Sequence, residues 1–218
     1  MGETDLLKRL KEAIINYDTE EAAKVAKEIV EKGFDPLEAI EKGVSEGLKI
    51  VGEKFGAGEI FLPMLMMAAQ AAKEALAILE PMLKEGASRK TIGKVVIGTV
   101  EGDIHDIGKN IVATMLTANG FEVYDIGVDA PASKFVEKAK EVNPQIIGIS
   151  ALMTTTMQKV PEVIEALKKA GLREKVKVMV GGAAVTEEWA KQIGADGYGE
   201  DAKAAVEVAK KLVLERGD

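Results

Sequence analysis

The chain has 218 residues, 47% of them hydrophobic, 30% charged and 4% aromatic, with a net charge of −7, one histidine and no cysteine. This is the composition of an ordinary globular protein of one large or two small domains. The acidic balance and scarce aromatics argue against a nucleic-acid partner, and a zinc or iron–sulfur site built from several His and Cys side chains is excluded. Absent cysteines fit a reducing interior. The N-terminus lacks the shape of a signal peptide, and no segment is expected to be long enough to span a bilayer. The expectation is a cytoplasmic protein with no membrane partner.

Residues 1–88 read as helical. Leu6, Leu7, Leu10, Ala13 and Ile14 recur at helical spacing with charges between them. Asp18-Thr19-Glu20 starts a second helix, with Ala22, Ala23, Val25, Ala26, Ile29 and Val30 on its apolar stripe, and Gly33 ends it. Asp35-Pro36 is an N-cap and first helical residue for a third helix carrying Leu37, Ile40, Val44, Leu48 and Val51. Gly43 and Gly47 interrupt that helix, and either close helix contact, a functional surface or simple tolerance accounts for them. A fourth helix begins near Glu59, and between Ile60 and Ala72 only Pro63 and Gln70 break its apolar run. A helix apolar all round needs cover on more than one side. Either it is the centre of the bundle, with Met as gap-filler, or Phe61, Met64, Met66 and Met67 cover an apolar ligand. The polar stretch 84–91 marks a domain boundary, placed between residues 88 and 89, and a hinge.

From residue 89 strands and helices alternate. Strand candidates are 94–100, 121–126, 145–150, 177–180 and 197–198; helix candidates are 108–118, 131–141, 157–169, 186–192 and 201–214. This pattern predicts an α/β domain with a parallel five-stranded sheet of flavodoxin-like (Rossmann-like) type, preceded by a four-helix bundle. Ligands of such sheets gather at the carboxyl ends of the strands. The loop Gly102-Asp-Ile-His-Asp-Ile-Gly108 follows the first strand, Ser150 ends the third and Gly181-Gly182 ends the fourth. All three therefore converge on one edge. His105 is the sole histidine, so if it binds a metal, most other ligands must arrive with the metal. Asp103 is placed to accept the other ring N–H and fix the tautomer. Gly181 and Gly182 would let a bulky ligand approach the backbone, or simply turn the chain after a strand.

Asp103-x-His105-x-x-Gly108 precedes Ser150-Ala-Leu152, with 41 residues between Gly108 and Ser150. Another 28 separate Leu152 from Gly181-Gly182. In residue types and spacing this resembles the cobalamin-binding signature of methionine synthase, corrinoid carrier proteins and cobalamin-dependent mutases. With the Phe-Leu-Pro helix ahead of it, nearly the whole chain is similar to the methyltransferase corrinoid proteins. The resemblance implies a bound cobamide, with His105 as the lower axial ligand of cobalt displacing the cofactor's own benzimidazole. Asp103 would bind the other His105 nitrogen, with Gly102, Ile104, Asp106, Ile107 and Gly108 completing that loop against the cofactor. Thr156 stands where methionine synthase has a serine in the relay. Ser150, Leu152 and Thr154 would line the slot for the displaced nucleotide tail, beside Gly181, Gly182 and Ala183; Tyr198 and Gly199 are weaker contact candidates. Met66 would belong to a helical cap above the cobalt.

The family's function would be methyl carriage on cobalt between a substrate-specific methyltransferase and a second methyltransferase, with a reductive activation protein as a further partner. No nucleophile is paired with a base, so the chain reads as a subunit of such a system, with chemistry on the substrates left to partners. Rival readings are a mutase cobalamin subunit, which needs no helical cap, and a cobalamin-dependent sensory regulator. The latter usually carries a basic DNA-binding module, whereas residues 1–88 hold 11 basic and 17 acidic side chains. A phosphate- or flavin-binding flavodoxin-like module would need a glycine-rich nest that the sequence lacks.

Overall fold

The computed structural model describes residues 2–82 and 91–214. It divides into two compact units, Met1–Thr91 with Thr117–Gly120, and Ile92–Leu116 with Phe121–Asp218. The expected 88/89 boundary and all of the expected hinge but Thr91 lie outside the described residues.

In the first unit, α1 (Glu3–Ile15) buries the stripe its spacing predicts, and α2 (Thr19–Glu31) buries Ala22, Val25, Ala26 and Ile29 of its own, while Ala23 and Val30 at the edges of the stripe are half-buried. Asp18 caps α2 by accepting the Glu21 N–H at 2.9 Å, which satisfies one of the donors a helix start leaves open. Helix α3 has three segments: Pro36–Glu38, a π-helical stretch Ala39–Ser45, and Glu46–Gly56. Gly43 and Gly47 lie where this helix crosses α1. A Cβ on Gly43 would stand 2.8 Å from Leu10 Cδ2, and one on Gly47 would stand 2.9 Å from Ile14 Cβ. Close helix contact, rather than tolerance, explains both.

Helix α4 starts at Leu62 (Leu62–Leu79), three residues later than expected, and a 3-10 turn Glu80–Met82 follows it. Pro63 accounts for the start, since a proline is tolerated in the first turn where no N–H is needed. Leu65, Ala68, Ala71, Ala72, Ala75 and Leu79 are buried, and the small alanines let α4 pack closely on α2. Within this unit Phe61, Met64, Met66 and Met67 are exposed. Leu62–Met82 is also long and apolar enough, by length and composition, to cross a membrane, contrary to the sequence expectation. The reason is composition: charges appear only at Lys73, Glu74 and Glu80 along 21 residues.

The second unit is the expected α/β sheet. Strands β1 (Lys94–Thr99), β2 (Glu122–Asp125), β3 (Ile146–Ser150), β4 (Lys177–Gly181) and β5 (Gly197–Gly199) are all parallel, in the order β2-β1-β3-β4-β5. The helices are α5 (Ile107–Ala118), α6 (Ala132–Val142), α7 (Thr154–Met157), α8 (Val160–Lys169), α9 (Glu187–Gln192) and α10 (Ala202–Leu214). The expected helix 157–169 is two helices, because Pro161 has no N–H to continue the ladder from the Met157 carbonyl. One sheet face carries Val96, Ile147 and Val178, packed against Phe135 of α6 and Val163 and Leu167 of α8. Each such fully buried side chain contributes about 1.5–3 kcal/mol. The crossover from β1 leads to one side and β3 lies on the other, so a crevice opens between their carboxyl ends.

Candidate functional site

The loop after β1 is fixed from three directions. Gly102, at φ +80°, turns the chain and donates its N–H to Asp129 Oδ1 at 2.7 Å. Asp129 returns its own N–H to the Asp103 carbonyl at 2.9 Å. The buried Thr99 hydroxyl donates to the His105 carbonyl at 2.9 Å. Sequence reasoning missed Thr99 and Asp129; the only signal was their position at the ends of strand–turn junctions.

Asp103 is fully buried and its carboxylate accepts four hydrogen bonds. Oδ1 takes His105 Nδ1 at 2.7 Å and the His105 backbone N–H at 3.1 Å. Oδ2 takes the Leu152 N–H at 2.8 Å and the Thr156 hydroxyl at 2.7 Å. Burial alone would raise the pKa of this carboxyl. The bonds from Leu152, Thr156 and His105 outweigh it and hold Asp103 down at about 2. An ionised carboxylate only accepts, so Nδ1 carries the proton and a neutral His105 leaves its lone pair on Nε2. The His105 side chain is 48% exposed.

His105 borders a cavity of about 900 Å³ at the carboxyl ends of β1, β3, β4 and β5. Ile104, Asp106, Ile107 and Gly108 line it from the His105 loop, and Ser150 and Leu152 from the end of β3. Gly181, Gly182 and Ala183 line it after β4, with Tyr198 and Gly199 from β5. Thr156 lies beneath the loop through Asp103, while Gly102 and the exposed Thr154 are outside the lining. Met66 belongs to the other unit.

The chain's own packing adds a reason for three of these residues. A Cβ on Gly182 would stand 2.1 Å from the Ala151 carbonyl oxygen, and one on Gly181 would stand 2.8 Å from that of Gly199, so the backbone as well as the cavity calls for glycine at both positions. Tyr198 pairs with Val180 and packs its ring with the core on the opposite sheet face, so only its backbone side meets the cavity. The sequence also gave no hint that Lys109 is buried, with Nζ held by Asp125 and by Asn110 Oδ1 at 2.7 Å.

Among the described residues no cluster of three or more His, Cys, Asp or Glu can hold an ion, so a metal here would bring its own ligands. The lining fits a corrinoid: Ile104 and Ile107, 75% and 77% exposed, flank His105 with apolar surface. Beyond its own chain neighbours and helix backbone, nothing lies within 4 Å of a Cβ on Gly108, which leaves open space beside the loop that a side chain would occupy. A parallel sheet with one tethered imidazole at the mouth of a long slot is the arrangement of a B12-binding domain.

Residues 93–207 match the B12 binding domain family, and residues 6–80 match a second family described as B12 binding domain. The chain is 51% identical to trimethylamine corrinoid protein 1 of Methanosarcina acetivorans, across 96% of this chain and 98% of that one. It is 53% identical to the dimethylamine corrinoid protein of Methanosarcina barkeri, across 98% and 100%. Among solved structures, a chain of the methanol:cobalamin methyltransferase complex of M. barkeri matches with a TM-score of 0.85 at 34% identity, covering 98% of this chain and 81% of that one. The monomethylamine corrinoid protein of M. barkeri matches at 40% identity with a TM-score of 0.53, covering 97% and 100%. The chain belongs to the family of corrinoid methyl-carrier proteins, which bind a cobamide and carry a methyl group on its cobalt for methyltransferases.

Proposed function

We propose that His105 Nε2 is the lower axial ligand of the bound cobamide, in place of the cofactor's own base. The observation that carries this reading is the 2.7 Å contact between His105 Nδ1 and the buried Asp103 carboxylate, which fixes the tautomer and leaves Nε2 as the free lone pair. When bound, the cobalt supplies a centre that takes a methyl group from one partner and yields it to another. The chain's residues do the rest. Asp103 holds the imidazole in one orientation and keeps the proton on Nδ1. Thr156 and the Leu152 N–H hold the other carboxylate oxygen and so fix Asp103 itself. Ile104, Ile107 and Gly108 offer an apolar, uncrowded surface, and the slot between the sheet and α5 would take the displaced nucleotide tail. The exposed face of Phe61, Met64, Met66 and Met67 is assigned to the cap role, within a helical domain spanning 1–88 ahead of the cobamide domain, 89–218. In the His105→Ala variant the Co(II) form should lose histidine nitrogen coupling in its electron paramagnetic resonance spectrum; unchanged coupling refutes the ligand assignment.

The methyl donor is assigned to the methylated amines. What supports this is identity of 51–53% to proteins named for trimethylamine and dimethylamine, against 34% to the methanol complex. The partners would be a substrate-specific amine methyltransferase, a second methyltransferase that draws the methyl group off, and a reductive activation protein, all in the cytoplasm. Charging of the full-length carrier by methyltransferases specific for dimethylamine, trimethylamine and methanol tests this: an amine enzyme should charge it fastest, and preference for the methanol enzyme refutes it.

A further inference from the structure

The cavity has a polar rim and an apolar floor. Ile97, Gly148 and Met179 are paired neighbours across β1, β3 and β4 on the cavity face. They stand two residues before Thr99, Ser150 and Gly181, about 7 Å deeper than the carboxyl edge. Val112 of α5 and Ala205 of α10 complete the floor. None of these five side chains carries a hydrogen-bonding group beyond a thioether. The backbone at Ile97, Gly148 and Met179 is committed to parallel ladders on both edges. Polar lining groups such as Asp106, Ser150, Glu200 and Asp201 sit at strand or helix ends, at the rim. The Lys109 ammonium is engaged by Asp125 and Asn110.

We infer that this floor selects the lower base of the cobamide, accepting an alkyl-substituted benzimidazole and discriminating against adenine. The inference rests on the reading that the nucleotide tail leaves cobalt and enters this cavity. Dimethylbenzimidazole would set its two methyl groups against Ile97, Met179 and Val112. Adenine would bring an exocyclic amine and additional ring nitrogens to a place that replaces none of their bonds to water. A buried polar group left unpaired in this way weakens binding by about ten-fold or more. Gly148 keeps the floor flat: it lines the cavity, and the nearest atom to a Cβ there would be Ile97 Cγ1 at 3.2 Å.

The test is to titrate full-length apoprotein with dimethylbenzimidazolyl cobamide and with adenylyl cobamide by equilibrium dialysis. The electron paramagnetic resonance spectrum of each Co(II) complex is recorded alongside. The expected result is histidine coupling in both complexes, with the benzimidazolyl form bound about ten-fold or more tightly. Met179→Gln, which places an amide on the floor, should bring the ratio below about three-fold; if that strand variant does not fold, Val112→Thr should lower the ratio in the same direction. Equal affinities with histidine coupling in both complexes overturn the selection while leaving the tail in the slot. Coupling from the lower base instead of histidine overturns the underlying reading and the selection with it.

Discussion

Asp103 and Thr156 meet in the interior, 53 positions apart in sequence, with the threonine hydroxyl 2.7 Å from the carboxylate oxygen that does not face His105. One carboxylate thus links the imidazole to the segment after β3. Thr156→Val removes this bond and leaves the Leu152 N–H as the partner of Oδ2. The Asp103 pKa should rise, because one of the bonds that hold it down is gone. Thr156→Ser keeps a hydroxyl and should match the parent. A pH titration of the Asp103 carboxyl carbon by nuclear magnetic resonance reads the shift, and a valine variant that titrates like the parent would reduce Thr156 to packing.

Asp103 also predicts an acid dependence of stability. Its folded pKa of about 2 lies below the ordinary value of 3.8. The carboxylate therefore stabilises the fold by about 2 kcal/mol. This contribution is fully present above pH ~4 and is lost as pH falls through ~2. Urea unfolding of the apoprotein should show Asp103→Asn weaker than the parent by about 1–3 kcal/mol at neutral pH, with the gap closing between pH ~4 and ~2. A pH-independent gap would mean that geometry, rather than charge, is what asparagine disturbs.

Two glycines of the motif should respond in opposite ways. Gly182 has φ +113°, and a Cβ there would lie 2.1 Å from the Ala151 carbonyl oxygen, so Gly182→Ala should cost several kcal/mol, about 3 or more, or prevent folding. Gly108 lies in the first turn of α5 with open space where a Cβ would go. Gly108→Ala should raise apoprotein stability by about 0.5–1 kcal/mol while weakening cobamide binding. Thermal unfolding with and without cofactor separates the two effects.

Much of this site was legible in the sequence because its main signals are local. β-branched runs mark β1 and β3, and the Asp-x-His spacing lets one carboxylate reach both a ring nitrogen and a backbone N–H two residues away. What was not legible depends on neighbours distant in sequence. Nothing around Asp129 announces that its side chain will hold Gly102, 27 positions earlier. Gly182 reads from sequence as a ligand neighbour or a turn, and nothing there shows that the Ala151 carbonyl also requires its missing Cβ. Tyr198 lies next to cavity-lining Gly199, yet strand alternation points its ring to the other face. The π-helical segment Ala39–Ser45 carries no sequence signal for which we have a physical account.

Lys109 and Asp125 make an asymmetric pair, with the lysine side chain 1% exposed and the aspartate 38%. Asp125→Ala strands a buried ammonium with only Asn110 as its partner, and should cost about 1–3 kcal/mol. Lys109→Met fills the same space and frees a carboxylate that water can reach, so it should cost less, under ~1 kcal/mol. Urea midpoints of the two variants compare them, and a larger loss from Lys109→Met would show that the ammonium itself holds the first turn of α5.

The central claim is that His105 binds cobalt through Nε2, and the single histidine makes it directly testable in the unaltered protein. Histidine labelled with ¹⁵N enters the chain at position 105 alone. In the Co(II) form loaded with unlabelled cobamide, the axial ligand splits each cobalt line in the electron paramagnetic resonance spectrum. Coordination by His105 predicts that the ¹⁴N triplet of the unlabelled protein becomes a doublet on labelling. A triplet that persists in the labelled protein would assign the axial nitrogen to the cofactor's own base and contradict the account.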